Sequence, residues 1–195
     1  MTRRSSAHER RVRYLRAAVL TALAACSTPA PALEVKAIDA RVTDHRYHVQ
    51  FEAVLAAPVE HVTRVLTDYA GYASLDPRIR ESRVIGTTDT GQAVLRTRIR
   101  ACAGLFCRTV LRTEQVAHAD GRLVAEIMPG SSDVRQGIAR TQWRGEGQQT
   151  RVWYQADFEP GFWVPDIVAR HYAATSLRES VVQLFENVEA GAREQ

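Results

Sequence analysis

Residues 150–192 read TRVWYQADFEPGFWVPDIVARHYAATSLRESVVQLFENVEAGA, and the change of period inside this stretch decides the fold. Val152, Tyr154, Ala156 and Phe158 recur every second residue, which puts them on one face of a strand with Trp153 on the other. EPGFWVPD breaks that pattern. From Asp166 the apolar residues follow a helical period: Ala174, Leu177, Val181, Leu184, Phe185 and Val188 form one stripe. Pro165 marks the start, Asp166 suits the positive end of the helix dipole, and Gly191 lies near the end. One strand therefore feeds one long amphipathic helix.

Upstream, EVKAIDARV and HRYHVQFEAVL read as strands, with Tyr47, Val49, Phe51 and Ala53 alternating against His48, Gln50 and Glu52. PVEHVTRVLTDYAG carries Val59, Val62, Val65, Leu66 and Tyr69 as a helical stripe that Gly71 ends, and YASLDPRI is a short helical turn broken at Pro77. Then come RESRVIGTT, QAVLRTRIRA, CRTVLRTEQVAH, RLVAEIM, GIARTQWRG and TRVWYQADF, punctuated by DTG, AGLF, ADG, PGSSD and GEGQQ. Links this short join antiparallel neighbours in a meander. Such a sheet has one dry face, and the long helix is its cover.

In this order the segments resemble the helix-grip fold of the START-like superfamily. AAPVEHVTRVLTDYAGYASLDPRIRESRVI (residues 56–85) is similar to the family's opening unit, with Ala-Pro before the first helix, Val-Leu-x-Asp-Tyr at its end and Pro a few residues on. TRVWYQADFEPGFWVPD is similar to its last strand and the approach to its helix. The likeness spans roughly residues 45–190 and is closest to the bacterial polyketide-cyclase-like and coenzyme-Q-binding START proteins. The fold expected is α+β: a curved antiparallel sheet of about seven strands around a long C-terminal helix, with two short helices after the first strand. The resemblance implies a space between sheet and helix that holds a lipid, an isoprenoid quinone or a polyketide-like molecule. The residues expected to line it are Tyr69, Leu95, Ile99, Leu111, Trp143, Tyr154, Phe158, Trp163, Tyr172 and Leu177. No cofactor and no metal are expected. Phe162 and Trp163 also suit contact with a membrane surface, where Trp favours the interface.

The N-terminus sets the compartment. MTRRSSAHERRVRYLR is basic, AAVLTALAA is a short uncharged apolar run, and CSTPAPA is a small-residue exit. That is the layout of a secretory signal in residues 1–32. Cleavage after the A-x-A site Ala30-Pro31-Ala32 leaves a domain at 33–195; a lipobox at Leu23–Cys26 is the alternative, with Cys26 lipidated. Periplasm or cell envelope is the expected location. Of 26 basic and 22 acidic residues, six Arg and one Glu lie in residues 1–25, so 20 basic and 21 acidic residues remain. The basic balance belongs to the leader and gives no sign of nucleic-acid binding.

In an oxidising compartment Cys102 and Cys107 form the remaining pair. If AGLF is a four-residue hairpin loop, they stand opposite each other on neighbouring strands and close a disulfide. Other chemistry is sparse. The histidines at 45, 48, 61, 118 and 171 form no metal-like i, i+4 pair. Asp68, Asp76, Asp157 and Glu159 are accounted for by capping and solvent exposure. There is no G-x-S-x-G and no phosphate-binding glycine loop. Arg96, Arg98 and Arg100 line one face of their strand, opposite Leu95, Thr97 and Ile99. A binding module is the first reading; a polyketide cyclase or aromatase, or an interaction protein with a filled interior, are the alternatives.

Overall fold

The computed structural model describes residues 33–103 and 105–194; the expected leader, with Cys26, lies outside them. One antiparallel sheet runs in the order β1-β2-β8-β7-β6-β5-β4-β3. Its strands are β1 Glu34–Thr43, β2 Arg46–Leu55, β3 Ile79–Thr87, β4 Ala93–Ala103, β5 Phe106–Ala119, β6 Arg122–Ile127, β7 Val134–Glu146 and β8 Gln149–Pro160. The count is eight rather than about seven, and helices α1 (Val59–Thr67) and α2 (Tyr72–Leu75) follow the second strand, not the first. Both segments read as strands before the first helix are present, joined by the turn at Asp44 and His45, with φ of 50° and 62°. Two successive left-handed residues match the twist of a tight hairpin, so EVKAIDARV folds back along β2 as a full edge strand.

The C-terminal helix is not uniformly α-helical. It opens with α3 (Asp166–Val168), widens into a π-helical turn at Ala169–Ala173 and continues as α4 (Ala174–Arg193). Ala169, Ala173, Val181 and Phe185 are buried, with Leu177 half-buried between them. A spacing of four drifts around a regular α-helix, and the wider π turn offsets that drift at the start of the stripe.

Ala40 on β1 and Leu95 on β4 belong to one core cluster with Phe185 and Val188 of α4. Strands from nearly opposite sides of the sheet thus converge on a single helix, which requires the sheet to curl around it. Phe185 stacks on Phe51 with ring centroids 5.0 Å apart and meets the edge of Tyr154 at 5.8 Å. Two polar clamps fix the helix. Near its C-terminal end the buried Glu189 accepts the Ala56 amide at 2.8 Å and pairs with Arg193 at 2.6 Å. At the α2–β3 corner Asp76 accepts the Arg78 amide at 2.8 Å and its guanidinium at 2.6 Å, while the same guanidinium donates to the Ser180 carbonyl at 3.2 Å. Asp76 thus caps its turn as expected, but it is buried rather than solvated.

Candidate ligand site on the inner face of the sheet

The β4–β5 hairpin sets the site. Cys102 and Cys107 are bonded and paired across the strands. The strands run closer to the turn than a four-residue loop allows, because Ala103 pairs with Phe106. This register places Ile99 opposite Val110, Thr97 opposite Arg112 and Leu95 opposite Glu114. Directly opposed residues share a face, and the buried Leu95 shows that this is the inner one.

Two charges therefore enter an apolar face. Arg112 bonds Glu114 through Nη2 and Oε1. Burial would push the Arg112 guanidinium down, but Glu114 together with Tyr154 and Tyr72 outweighs it and the net shift is upward. The guanidinium therefore stays charged. Tyr154 and Tyr72 lie close enough to feel the pair. Burial pushes both phenols up, so both are neutral donors at pH 7. Tyr72 spends its hydroxyl on the Leu66 carbonyl at 2.6 Å. The Thr97 hydroxyl, opposite Arg112, is buried without a hydrogen-bond partner. Of the Arg112 side chain 32% remains accessible, while Glu114 beside it is only 6% exposed. The cluster thus offers a fixed cation, a carboxylate, a phenol and a free hydroxyl among apolar residues.

The expected lining residues separate into groups. Leu95, Ile99, Tyr154 and Phe158 share the inner face with Arg112. Phe158 stacks on Tyr47 at 5.1 Å and packs on a second apolar cluster of Val110, Ile127 and Val134. Leu177 packs on the main core from α4, and Tyr69 from the segment after α1, its ring 6.0 Å from that of Tyr72. Trp143 also faces inward, but it is committed to α1, its Nε1 donating to Thr63 Oγ1 at 2.7 Å. Three stand elsewhere. Leu111 pairs with Arg98 and so lies on the outer face. Trp163, in the loop after β8, and Tyr172, in the π turn, are 74% and 51% exposed.

Arg112 and Glu114 were not among the expected site residues, because charges on a strand read as its wet face. The signal was nonetheless present. A hairpin closed by Cys102 and Cys107 pairs residues whose numbers sum to a constant, and that sum sets Arg112 and Glu114 opposite Thr97 and Leu95.

Two pockets stand out among the described residues. A groove of about 810 Å³ crosses the outer face and includes Gln50, Gln142, Trp153 and Gln155; one of about 300 Å³ opens beside Tyr47, Phe162 and Trp163. No residue of α4 lines either one. Among the described residues no cluster of His, Cys, Asp and Glu is arranged to hold a metal, and no helix is long and apolar enough to cross a membrane.

A curled antiparallel sheet closed on a C-terminal helix, with polar groups held on its dry face, defines the helix-grip class. Residues 46–189 match the polyketide cyclase / dehydrase and lipid transport family, and the chain belongs to it. Among solved structures it is similar to a START superfamily protein from Mycobacterium smegmatis, at 18% identity and TM-score 0.61, over 75% of this chain and 97% of that one. It is similar to a STAR-related lipid transfer protein (fragment 25–204) from Xanthomonas axonopodis, at 14% identity and TM-score 0.57, over 84% and 99% of the two chains. It also resembles the Zhui aromatase/cyclase from Streptomyces sp. R1128, at 19% identity and TM-score 0.56, over 77% and 96%. These likenesses establish the fold. Among curated protein sequences none matches the chain.

Proposed function

We propose that this is an exported binding module for a hydrophobic small molecule carrying one polar end. The apolar body, that of a lipid, an isoprenoid quinone or a polyketide-like chain, lies between the inner face of the sheet and the C-terminal helix. The polar end meets Arg112. The observation that carries this reading is the Arg112–Glu114 pair beside an unpartnered Thr97 hydroxyl. An Arg112 side chain that stays about a third accessible on the inner face, beside a nearly covered Glu114, is within reach of a ligand there. A ligand oxygen there accepts from Arg112 and Thr97, satisfying the orphaned hydroxyl. The family's inclusion of lipid transport supports the ligand class. The disulfide supports export, with the mature chain beginning at Leu33 or at a lipidated Cys26. Exposed Trp163 supports contact with a membrane surface.

A second reading has its own support. Glu114, Arg112 and Tyr154 provide a base, a cation and a neutral acid within one apolar site, the minimum for a cyclase acting on a bound polyketide. Titration with a fluorescent long-chain fatty acid separates the readings from a filled interior. Saturable binding that Arg112→Met weakens at least tenfold supports the site. No binding by the exported protein, or binding indifferent to Arg112, refutes it. Turnover of a poly-β-keto thioester that is lost in Glu114→Gln selects the enzyme.

A further inference from the structure

The end of the sheet that carries the β4–β5 turn shows a feature the interior site does not use. β6 pairs with β5 only over residues 114–119, so the hairpin runs on past its neighbour. Ala101, Cys102, Leu105, Cys107, Arg108 and Thr109 are all exposed, and Leu105 at the tip is fully so. The loops at this end are tied together. The Asp133 amide donates to the Leu111 carbonyl, and the Gly161 amide to the Asp133 carbonyl, each at 2.8 Å. The Arg108 guanidinium lies 4.3 Å from the centre of the Phe162 ring. Trp163 follows Phe162, and Ile167, 65% exposed, lies four residues further on. The Arg108–Phe162 contact thus ties the start of this segment to the β4–β5 hairpin, and Leu105, Trp163 and Ile167 are all exposed.

The charges around them are mostly basic. Between Arg98 and Thr113 the sequence has no acidic residue. Arg100 and Arg108 are exposed. The carboxylates nearby are engaged: Asp133 accepts the Leu111 amide at 2.8 Å, Glu159 pairs with Arg135 at 2.7 Å, and Asp157 with His48 at 2.7 Å. Asp44, in the β1–β2 turn, remains exposed, and Asp166 lies within the Trp163–Ile167 segment.

We infer that the disulfide-closed β4–β5 tip and the Trp163–Ile167 segment form a docking surface for an anionic phospholipid bilayer. Apolar side chains on a narrow protrusion suit a soft, penetrable surface better than a flat protein partner, because they bury themselves one by one among acyl chains. Trp163 sits at headgroup level and the arginines meet lipid phosphates. The Cys102–Cys107 bond keeps the tip in hairpin form where it lacks sheet neighbours, since an isolated two-stranded ribbon is marginal in water. Docking here specifies the membrane contact proposed above and is independent of what the interior holds.

The test is co-sedimentation of the exported protein with vesicles of phosphatidylcholine alone and with phosphatidylglycerol added. Trp163 fluorescence gives a second readout. Binding is expected to prefer the anionic vesicles and to weaken with salt. It should fall about tenfold in Leu105→Glu and in Trp163→Ala, and about fivefold per arginine in Arg100→Gln and Arg108→Gln at low ionic strength. Reducing the disulfide weakens binding as well. Val84→Glu, on the exposed edge strand β3, binds vesicles as the parent does, and so does parent protein stripped of interior ligand, so loss of ligand is not mistaken for loss of docking. Equal binding by Leu105→Glu and Val84→Glu, no preference for anionic lipid, or occupation of the tip by a protein in place of vesicles overturns the inference.

Discussion

Replacing Arg112 by Met removes the cation bonded to Glu114, whose side chain is 6% exposed, while nearly keeping the volume. Breaking a fully buried ion pair costs about 3–5 kcal/mol, because the orphaned charge stays in a poor solvent. A third of the Arg112 side chain is accessible, so water tempers the loss, and about 2–3 kcal/mol is expected. With a urea dependence of about 2 kcal/mol/M, the unfolding midpoint should fall by about 1 M with an unchanged slope. Arg112→Met with Glu114→Gln should recover most of this, since the pair is held against a desolvation cost that the double variant no longer carries. The assay is urea unfolding of the four proteins of the cycle, followed by far-UV circular dichroism. A midpoint within 0.2 M of the parent for Arg112→Met, or a double variant no better than the single, refutes a buried, mutually dependent pair.

Phe185→Ala empties the contact among Phe51, Tyr154 and the helix and should cost about 3–5 kcal/mol by urea unfolding; a cost below about 1 kcal/mol contradicts the grip. Replacing both Cys102 and Cys107 by Ser opens a loop of few residues and should cost at most about 2 kcal/mol, with denaturing mass spectrometry of the parent showing no free thiol at either position. Burial would raise the Asp76 carboxyl, but hydrogen bonds from Arg78 hold it below its ordinary value of 3.8. Its contribution is therefore full above about pH 4 and lost as pH falls through the lower folded value, and Asp76→Asn should flatten the stability–pH curve in that acid range.

The gripping layout was legible because its signals are local: the period changes between Phe158 and Asp166, and turn residues separate the strands. The disulfide was legible for the same reason, since AGLF is too short to be anything but a hairpin turn. The inner face of β5 was not. Val110, Arg112, Glu114 and Val116 alternate with Leu111, Thr113, Gln115 and Ala117, and neither set is clearly the dry one; pairing with β4 decides, and pairing is a property of two strands. Trp163 and Tyr172 show the complementary limit. Their size suggests burial, but a loop and a π turn at the end of the sheet leave them in solvent. Asp76 is the converse: a turn-capping carboxylate that is buried, its partner Arg78 reaching the Ser180 carbonyl 102 residues further along the chain.

The most direct measurement is native mass spectrometry of the protein purified from its own cells without delipidation. A mass excess that disappears on denaturation and extracts as one class of apolar molecule with a polar end is the predicted result, together with its loss in Arg112→Met. Protein that carries no adduct under conditions that preserve its fold contradicts the account.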